Sequence, residues 1–231
     1  MNKRLIASIA IMATGLLLLI IFSIVVYKTI AEPSALDVAV RDMFYNSRGE
    51  KNGFGYWFFR LITEFGGFYF VAVLGLAALV YTRFDYRLIV LGGVLLLEVA
   101  INAVLKHSFD RERPTEELRW MEDYSSSFPS GHSGISIAWG LTVSYFLCRL
   151  DLKKYIKIII ASGIGLIVVL VMISRLVLGM HYFSDIVAGA SLGLFASGAG
   201  ILASYFLEKY NILQKPLIKI SFKKNKDEET E

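Results

Sequence analysis

Six long apolar stretches are the feature that most restricts the folds open to this chain. A helix needs about 20 apolar residues to cross a hydrocarbon core about 30 Å thick. Each stretch is 18 to 24 residues long, and charged side chains are confined to its ends, apart from Glu98 in the third. In chain order, the predicted membrane spans are about 5–27, 65–82, 88–106, 131–148, 157–175 and 184–207.

The sequence thus predicts an all-α, polytopic membrane protein in which six transmembrane helices form one bundle, with residues 1–231 as a single domain. Hydrophobic residues make up 55% of the chain, too many for an ordinary soluble domain. In the long outer loop over 28–64, Ser34 is a helix-capping residue that predicts a short helix. The charged tail over 222–231 is expected to be disordered.

The distribution of charge in the loops predicts the orientation of the bundle. With six spans both termini share one side, whose segments hold 14 of the 24 Lys and Arg residues but 7 of the 20 acidic residues. Because basic loops stay in the cytoplasm, both termini are expected there, in a multi-pass protein of the cell membrane. The net charge of +4 follows these loops and forms no single patch, so nucleic acid is not an expected partner.

Three short motifs lie beside the ends of the spans. They are Lys106-x6-Arg113-Pro114 after the third span, Pro129-Ser130-Gly131-His132 at the start of the fourth, and Ser174-Arg175-x5-His181-x3-Asp185 between the fifth and sixth. The third and fifth helices run outward and the fourth and sixth run inward. All three motifs are therefore predicted to meet in one site on the extracytoplasmic face.

Lys106, Arg113 and Arg175 are predicted to bind phosphate. Arginine presents a rigid fork to two phosphate oxygens, and lysine adds a compact charge. A basic residue at the end of a span can instead extend to the lipid headgroups, but three of them beside two histidines favour an anion site. Ser130 and Gly131 add a helix start, whose free N–H groups and partial positive charge attract anions.

His181, His132 and Asp185 are predicted to be the catalytic residues. His181 and Asp185 are four positions apart, so a helix through both puts them on one face, where the carboxylate orients the imidazole. His181 is then the expected nucleophile that forms a phosphohistidine. His132 is expected to protonate the leaving oxygen and afterwards to activate water. The structural alternative is a His–Asp pair that only joins two helices.

The three motifs, in this order and spacing, resemble those of the type 2 phosphatidic acid phosphatase superfamily, to which membrane lipid phosphate phosphatases belong. Eleven specified residues between Lys106 and Asp185 match without a gap. The resemblance implies that His132 is the general acid, His181 the nucleophile and Asp185 the partner of His181, with phosphate bound by Lys106, Arg113, Ser130, Gly131 and Arg175. Asp110, Arg111 and Glu112 occupy variable positions of the motif and have no predicted role.

Motifs and resemblance together predict a lipid phosphate phosphatase that converts phosphatidylglycerophosphate to phosphatidylglycerol without a metal or other cofactor. Undecaprenyl diphosphate is the alternative substrate, because the cations contact phosphate and not the lipid tail. An anion transporter and a non-catalytic lipid-binding membrane protein are alternatives of other classes. Three histidines and Asp185 could also bind zinc, although three nearby cations would repel the metal. The sequence gives no oligomeric state.

Two further groups of residues are expected to have structural roles. Gly189, Gly193 and Ser197 recur every four residues in the last span, and small residues at this spacing let helix backbones approach closely inside a bundle. Glu98 and Asn102 share a helix face with Lys106. Because an ionisable group within a membrane span is unfavourable in contact with lipid, both are expected to point into the bundle.

Overall fold

The structure is a computed structural model that describes residues 2–82 and 85–212. Within these residues it contains eight α-helices, two short 3₁₀ turns and no β-strand. The helices are α1 (Lys3–Lys28), α2 (Ala35–Ser47), α3 (Phe54–Ile62), α4 (Phe68–Tyr81), α5 (Tyr86–Phe109), α6 (Gly131–Cys148), α7 (Lys154–Val177) and α8 (Phe183–Lys209). The all-α prediction is confirmed for the described residues, and the tail over 222–231 lies outside them.

Four of these helices, α1, α5, α7 and α8, are each long and apolar enough to cross a membrane. The segment Phe54–Gly66 and α4 qualify as a fifth span when they are counted together. The structure thus supports four to five of the six predicted spans. Helix α6 occupies the whole range predicted for the remaining span, but its Gly, Ser, Thr and His residues make it less apolar. Its crossing of the membrane stays a prediction.

Helix α4 occupies most of the predicted second span over 65–82, but the chain breaks sharply before this helix begins. Helix α3 is followed by a 3₁₀ turn at Thr63–Gly66, and α4 begins only at Phe68, bent by 55° from the preceding segment. Gly66 lies where the chain passes close to α6 and α7, since a Cβ atom on it would lie 2.6 Å from a methyl carbon of Val171 and 2.7 Å from the carbonyl oxygen of His132. The close approach of α6 therefore requires glycine at this point.

A helix also occupies the segment after the first span. Helix α2 begins where the Ser34 cap predicts, with the Ser34 hydroxyl accepting a hydrogen bond of 3.1 Å from the backbone N–H of Asp37. The side of the membrane on which α2 lies stays a prediction.

Helix α8 forms the centre of the bundle and packs against α1, α5 and α6. A Cβ atom on Gly189 would lie 2.2 Å from the carbonyl oxygen of Ser130, and one on Gly193 would lie 2.4 Å from that of Gly134. One turn further on, the hydroxyl of Ser197 donates to a carbonyl of α6 at 3.1 Å. The expected close packing of these three small residues inside the bundle is therefore confirmed.

An ion-pair cluster joins four helices at the end of the bundle where α8 finishes. Glu208 lies 2.8 Å from the guanidinium of Arg4 in α1 and accepts a 2.7 Å hydrogen bond from Tyr86 in α5. It also accepts a 2.8 Å hydrogen bond from Arg149, the residue after α6. This cluster, called the Glu208 cluster below, holds the ends of α1, α5, α6 and α8 together.

We expect Gly15→Ala to destabilise the bundle, because a Cβ atom there would lie 2.4 Å from the backbone nitrogen of Phe195 in α8. Forcing α1 and α8 apart should lower the free energy of unfolding by about 1–3 kcal/mol, measured as a lower Tm in detergent. Gly75→Ala in α4 is the control, since nothing lies within 4 Å of a Cβ there. It should leave Tm unchanged or raise it slightly, because alanine favours helix. Equal Tm values for the two variants would contradict this packing.

Candidate active site

The three motifs meet at the end of the bundle opposite the Glu208 cluster. Lys106 and Arg175 lie in the last turns of α5 and α7, His132 lies in the first turn of α6, and His181 directly precedes α8. They surround a cavity of about 420 Å³. Of the eight predicted site residues, five line this cavity: Lys106, Arg113, Gly131, His132 and His181. The other three are buried beside it: Ser130, Arg175 and Asp185.

His181 is held in one tautomer by the backbone. Its Nδ1 lies 2.8 Å from the carbonyl oxygen of Ser127. Because a carbonyl can only accept a hydrogen bond, Nδ1 carries the proton and Nε2 has a free lone pair. Nε2 lies 3.2 Å from Nη1 of Arg113, which can donate to it. The nitrogen available for attack therefore lies beside a cation at the wall of the cavity.

Asp185 does not pair with His181 in the way that the spacing predicts. Helix α8 begins only at Phe183, so His181 lies outside it, and the carboxylate is 3.7 Å from Nδ1, beyond hydrogen-bond distance. Asp185 instead accepts from the Ser127 hydroxyl at 2.5 Å and from the backbone N–H of Tyr182 at 2.9 Å. Asp185 therefore acts on His181 through Ser127, whose carbonyl holds the imidazole.

Arg113 is fixed in place by contacts on three sides. Its Nη2 lies 2.7 Å from the carboxylate of Asp123, its Nε donates to the carbonyl of Ser125 at 2.8 Å, and its Nη1 donates to that of Met180 at 2.8 Å. Although burial acts in the opposite direction, the backbone N–H of Ser125, the charge of Arg113 and the hydroxyl of Ser125 lower the pKa of Asp123. Asp123 is thus a stable anionic partner that keeps the guanidinium at the cavity.

The other two cations are held by neutral groups. The ammonium of Lys106 donates to the carbonyl of Ser126. Arg175 is 2% exposed, and its Nη1 donates to the hydroxyl of Thr63 at 2.9 Å. Its Nε has no hydrogen-bond partner within the part of the chain that the structure describes. Neither side chain is in direct contact with a carboxylate of the described residues. Both therefore keep a positive charge that can attract an anion.

Ser130 and Gly131 form the helix start that the sequence predicts. The hydroxyl of Ser130 caps α6 by accepting from the backbone N–H of Ser133 at 3.5 Å, and its own N–H donates to the carbonyl of Asp185 at 3.0 Å. Gly131 faces the cavity. The first turn of α6 is therefore bonded directly to the first turn of α8.

Glu98 and Asn102 line the same cavity as Lys106, which confirms that they point into the bundle. Glu98 is completely buried, and one of its oxygens accepts a weak hydrogen bond of 3.4 Å from Asn102. The remaining wall comes from the break before α4, with Gly66, Gly67, Phe68, Tyr69 and Phe70. The cavity thus has a polar floor and an aromatic side between α4 and α5.

The sequence did not point to several residues that build this site. Ser127, Asp123 and Thr63 each hold a predicted residue in position, and Arg111 forms an ion pair of 2.5 Å with Asp185. Arg111 itself was a usable signal for a buried ion pair, since a charged residue so close to apolar spans needs a partner. No spacing rule identifies that partner 74 positions away.

Burial lowers the pKa of His181 well below its usual value of 6.5, and the charges of Arg113, Arg175 and Lys106 lower it further, against the effect of the Ser127 carbonyl. The neutral imidazole is the form that can attack through Nε2. Since a group is deprotonated above its pKa, the attacking form is already present well below pH 6.5. The electrostatics therefore favour a nucleophilic role for this histidine.

We expect NMR of protein labelled with ¹³C and ¹⁵N in its histidines to show His181 as the neutral Nδ1–H tautomer at pH 6.5. The three histidines can be assigned with His107→Gln and His132→Gln. The physical reason is the combination of burial, neighbouring cations and the carbonyl acceptor of Ser127. A His181 signal that titrates at or above pH 6.5, or that reports an Nε2–H tautomer, would contradict this description.

Comparison with known proteins points to one family. A profile of the PAP2 superfamily matches residues 87–209, which include all three motifs. Phosphatidylglycerophosphatase B of Bacillus subtilis (strain 168) is 41% identical over 98 residues. That match covers 41% of this chain and 46% of the relative, so the chain spans about half the length of that curated protein.

Two solved structures share the fold. The crystal structure of a transmembrane PAP2 type phosphatidylglycerolphosphate phosphatase from Bacillus subtilis superposes with a TM-score of 0.70 at 26% identity, covering 85% of this chain and 96% of that one. The crystal structure of Aquifex aeolicus LpxE superposes with a TM-score of 0.60 at 21% identity, covering 73% of this chain and 96% of that one. The second similarity concerns the fold alone.

Proposed function

The chain belongs to the PAP2 superfamily, and we propose that it is a membrane lipid phosphate phosphatase that hydrolyses phosphatidylglycerophosphate to phosphatidylglycerol and inorganic phosphate. One observation carries the proposal. The free Nε2 of a neutral histidine lies at a cavity where the cations Lys106 and Arg113 and the start of α6 meet. The named function of the Bacillus subtilis relatives supports the choice of phosphatidylglycerophosphate as the substrate.

In this proposal the terminal phosphate binds between Lys106, Arg113 and Arg175. The N–H groups at the start of α6, beside Ser130 and Gly131, take the oxygen that gains charge in the transition state. Arg113 contacts Nε2 of His181 in the empty site at 3.2 Å. When the phosphate arrives, its oxygen replaces Nε2 as the acceptor for Arg113. The guanidinium thus guides the phosphorus to the nucleophile and frees the lone pair.

The first chemical step is an in-line displacement at phosphorus. The Nε2 lone pair of His181 forms the P–N bond while the P–O bond to the lipid breaks. His132 donates a proton to the leaving oxygen, so that this oxygen departs as the neutral hydroxyl group of phosphatidylglycerol. Asp185 and Ser127 hold the imidazole during this step, since the Ser127 carbonyl accepts the Nδ1–H at 2.8 Å.

The second step returns the enzyme to its starting state. His132, now neutral, removes a proton from water, and the oxygen of that water attacks phosphorus and breaks the P–N bond. Inorganic phosphate leaves, and His181 regains its free Nε2. No step needs a metal ion, because Lys106, Arg113 and Arg175 already neutralise the phosphate charge.

The aromatic side of the cavity suits a substrate that keeps its tail in the bilayer. Phe68, Tyr69 and Phe70 at the start of α4 face Val99 and Ala103 of α5 across the opening. In the proposed orientation both termini lie in the cytoplasm, and the opening faces the extracytoplasmic half of the cell membrane. A lipid phosphate would then reach the cations from within the bilayer, by moving parallel to the membrane plane.

Undecaprenyl diphosphate is a second candidate substrate, and one observation favours it. The charged residues of the cavity lie where they contact phosphate, whereas the opening is lined by apolar and aromatic groups that fit many kinds of tail. Anion transport is a weaker alternative. The cavity ends at Glu98, and the opposite end of the bundle is joined by the Glu208 cluster.

We expect the detergent-solubilised protein to release phosphate from phosphatidylglycerophosphate faster than from phosphatidic acid or undecaprenyl diphosphate. The assay compares kcat/KM for the three substrates, with EDTA and with orthovanadate. Activity should survive EDTA, since three cations take the place of a metal, and should fall with vanadate, which mimics five-coordinate phosphorus. Comparable rates on all three lipids would overturn the substrate assignment. No phosphate release from any of them would overturn the function.

We also expect His181→Gln to lower kcat by at least about 10⁴-fold, because removal of a nucleophile eliminates the covalent route. Rapid acid-free quenching after mixing with substrate labelled with ³²P in the terminal phosphate should trap label on the wild-type protein and not on this variant. His107→Gln is the matched control, since His107 is exposed and does not line the cavity. Trapped label on the His181→Gln variant would exclude His181 as the nucleophile.

A further inference from the structure

Arg111 is a buried cation near the site that has no role in the proposed mechanism. Its side chain is 1% exposed, and it donates to Asp185 at 2.5 Å, to the hydroxyl of Ser184 at 2.8 Å and to Asp37 at 2.9 Å. The guanidinium also stacks on the ring of Tyr182 at 4.6 Å. Every contact of this cation is therefore with the segment that carries His181 or with α2.

Asp37 is the unusual partner in this group. It is the one fully buried residue among the thirteen described residues of α2. Its carboxylate accepts from the backbone N–H of Ser184 at 2.9 Å and from the Ser184 hydroxyl at 2.8 Å, in addition to Arg111. A short amphipathic helix usually docks through apolar side chains. Helix α2 packs through Phe44 and also docks through a carboxylate, which indicates a role beyond packing.

Arg111 reaches His181 along two routes that end at Ser127. Its guanidinium holds Asp185, which accepts from the Ser127 hydroxyl at 2.5 Å. Its backbone carbonyl accepts from the N–H of Ser127 at 2.8 Å. The carbonyl of Ser127 in turn accepts the Nδ1–H of His181 at 2.8 Å. A displacement of Arg111 would therefore move the acceptor that sets both the tautomer and the direction of the imidazole.

We propose that Arg111 and Asp37 are positioning residues for His181. Arg111 fixes Ser127 and neutralises the charge of Asp185. Asp37 shares the guanidinium of Arg111 with Asp185 and so limits how far that charge is neutralised. The proposal rests on the proposed function for its kinetic consequence. Its structural part concerns only the state of the His181 ring and can be measured without turnover.

The charges of this group predict opposite effects for its two members. Asp185 lies 3.7 Å from Nδ1 of His181, and its negative charge is balanced by Arg111. Removing the cation leaves an unbalanced carboxylate beside the ring, which favours the imidazolium and moves the titration of His181 to higher pH. Removing Asp37 leaves more positive charge near the ring and moves the titration to lower pH. Loss of structure alone would not give shifts of opposite sign.

The other ionisable groups around His181 stay the same in both variants. They come from every element that packs on the ring: Lys106 from α5, Arg113 and Asp123 from the following loop, His132 from α6, Arg175 from α7 and Asp185 from α8. The shifts therefore isolate the contribution of Arg111 and Asp37.

The experiment compares Arg111→Gln, Arg111→Lys and Asp37→Asn in the full-length protein. NMR of labelled histidines follows the titration and tautomer of His181, and phosphate release gives kcat and KM. We expect the His181 titration to move to higher pH in Arg111→Gln and to lower pH in Asp37→Asn. Because a displacement of about 1 Å reduces rates about 100-fold, kcat should fall by that order in Arg111→Gln, with KM and vanadate inhibition almost unchanged. Arg111→Lys keeps the charge and should restore the titration but only part of kcat.

Asp85→Asn is the matched control. Asp85 is also a buried aspartate paired with an arginine, with 2.5 Å to Arg87, but it caps the distant end of α5. This variant should leave the His181 signal and kcat unchanged. Gel filtration in detergent reports whether each variant is folded. If Arg111→Gln fails to fold, Asp37→Asn and Arg111→Lys still decide the question, because both keep the cation.

Titration shifts of the same sign in Arg111→Gln and Asp37→Asn would overturn the proposal. So would an unchanged His181 titration in the folded Asp37→Asn protein. If the wild-type protein hydrolyses none of the lipid phosphates, the proposed function fails. The opposite NMR shifts would still establish how Arg111 and Asp37 act on the ring.

Discussion

The backbones of α6 and α8 approach each other more closely than side chains would allow, and the geometry of the site depends on that approach. Gly189 and Gly193 leave no room for a Cβ atom against the carbonyls of α6. At the end of this contact that lies beside the cavity, the N–H of Ser130 donates directly to the carbonyl of Asp185. The two helix starts are therefore one rigid unit, which brings His132 and His181 to the same cavity.

The buried charges of this region are separated into two groups by their partners. Around the cavity, Lys106 and Arg175 are held by a carbonyl and a hydroxyl, which orient them without cancelling their charge. Behind it, Asp37 and Asp185 share the single cation Arg111. Because unpaired charges in a dry interior are unstable, this separation keeps the positive potential in the place where an anion can use it.

Much of the fold follows from the sequence, because an uncharged run of sufficient length has few other stable forms near lipid. Helices α1, α5, α7 and α8 begin and end within three residues of their predicted bounds. The break at Gly66 and Gly67 was not predicted, since both residues lie within the uncharged run over 65–82, and the contact of Gly66 with α6 follows only from the assembled bundle.

The sequence also predicts which residues gather at the candidate site, but not the contacts that hold each of them there. The number of crossings alone brings Lys106, His132 and His181 to one end, as the structure shows. The i, i+4 spacing of His181 and Asp185 was misleading, because α8 starts between them and turns the carboxylate back to cap its own first turn. Contacts such as Arg175 with Thr63 join positions 112 apart and follow only from the assembled bundle.

The break between α3 and α4 has a consequence for how the proposed enzyme would meet its substrate. The cavity is lined here by the aromatic start of α4 and the side of α5, and in the proposed orientation it would open toward the bilayer. Under the proposed function, enzyme and substrate would meet by diffusion in two dimensions, and the rate would saturate with the mole fraction of substrate in the leaflet. Diluting the substrate with neutral lipid would slow the reaction even when its total amount in the sample is constant.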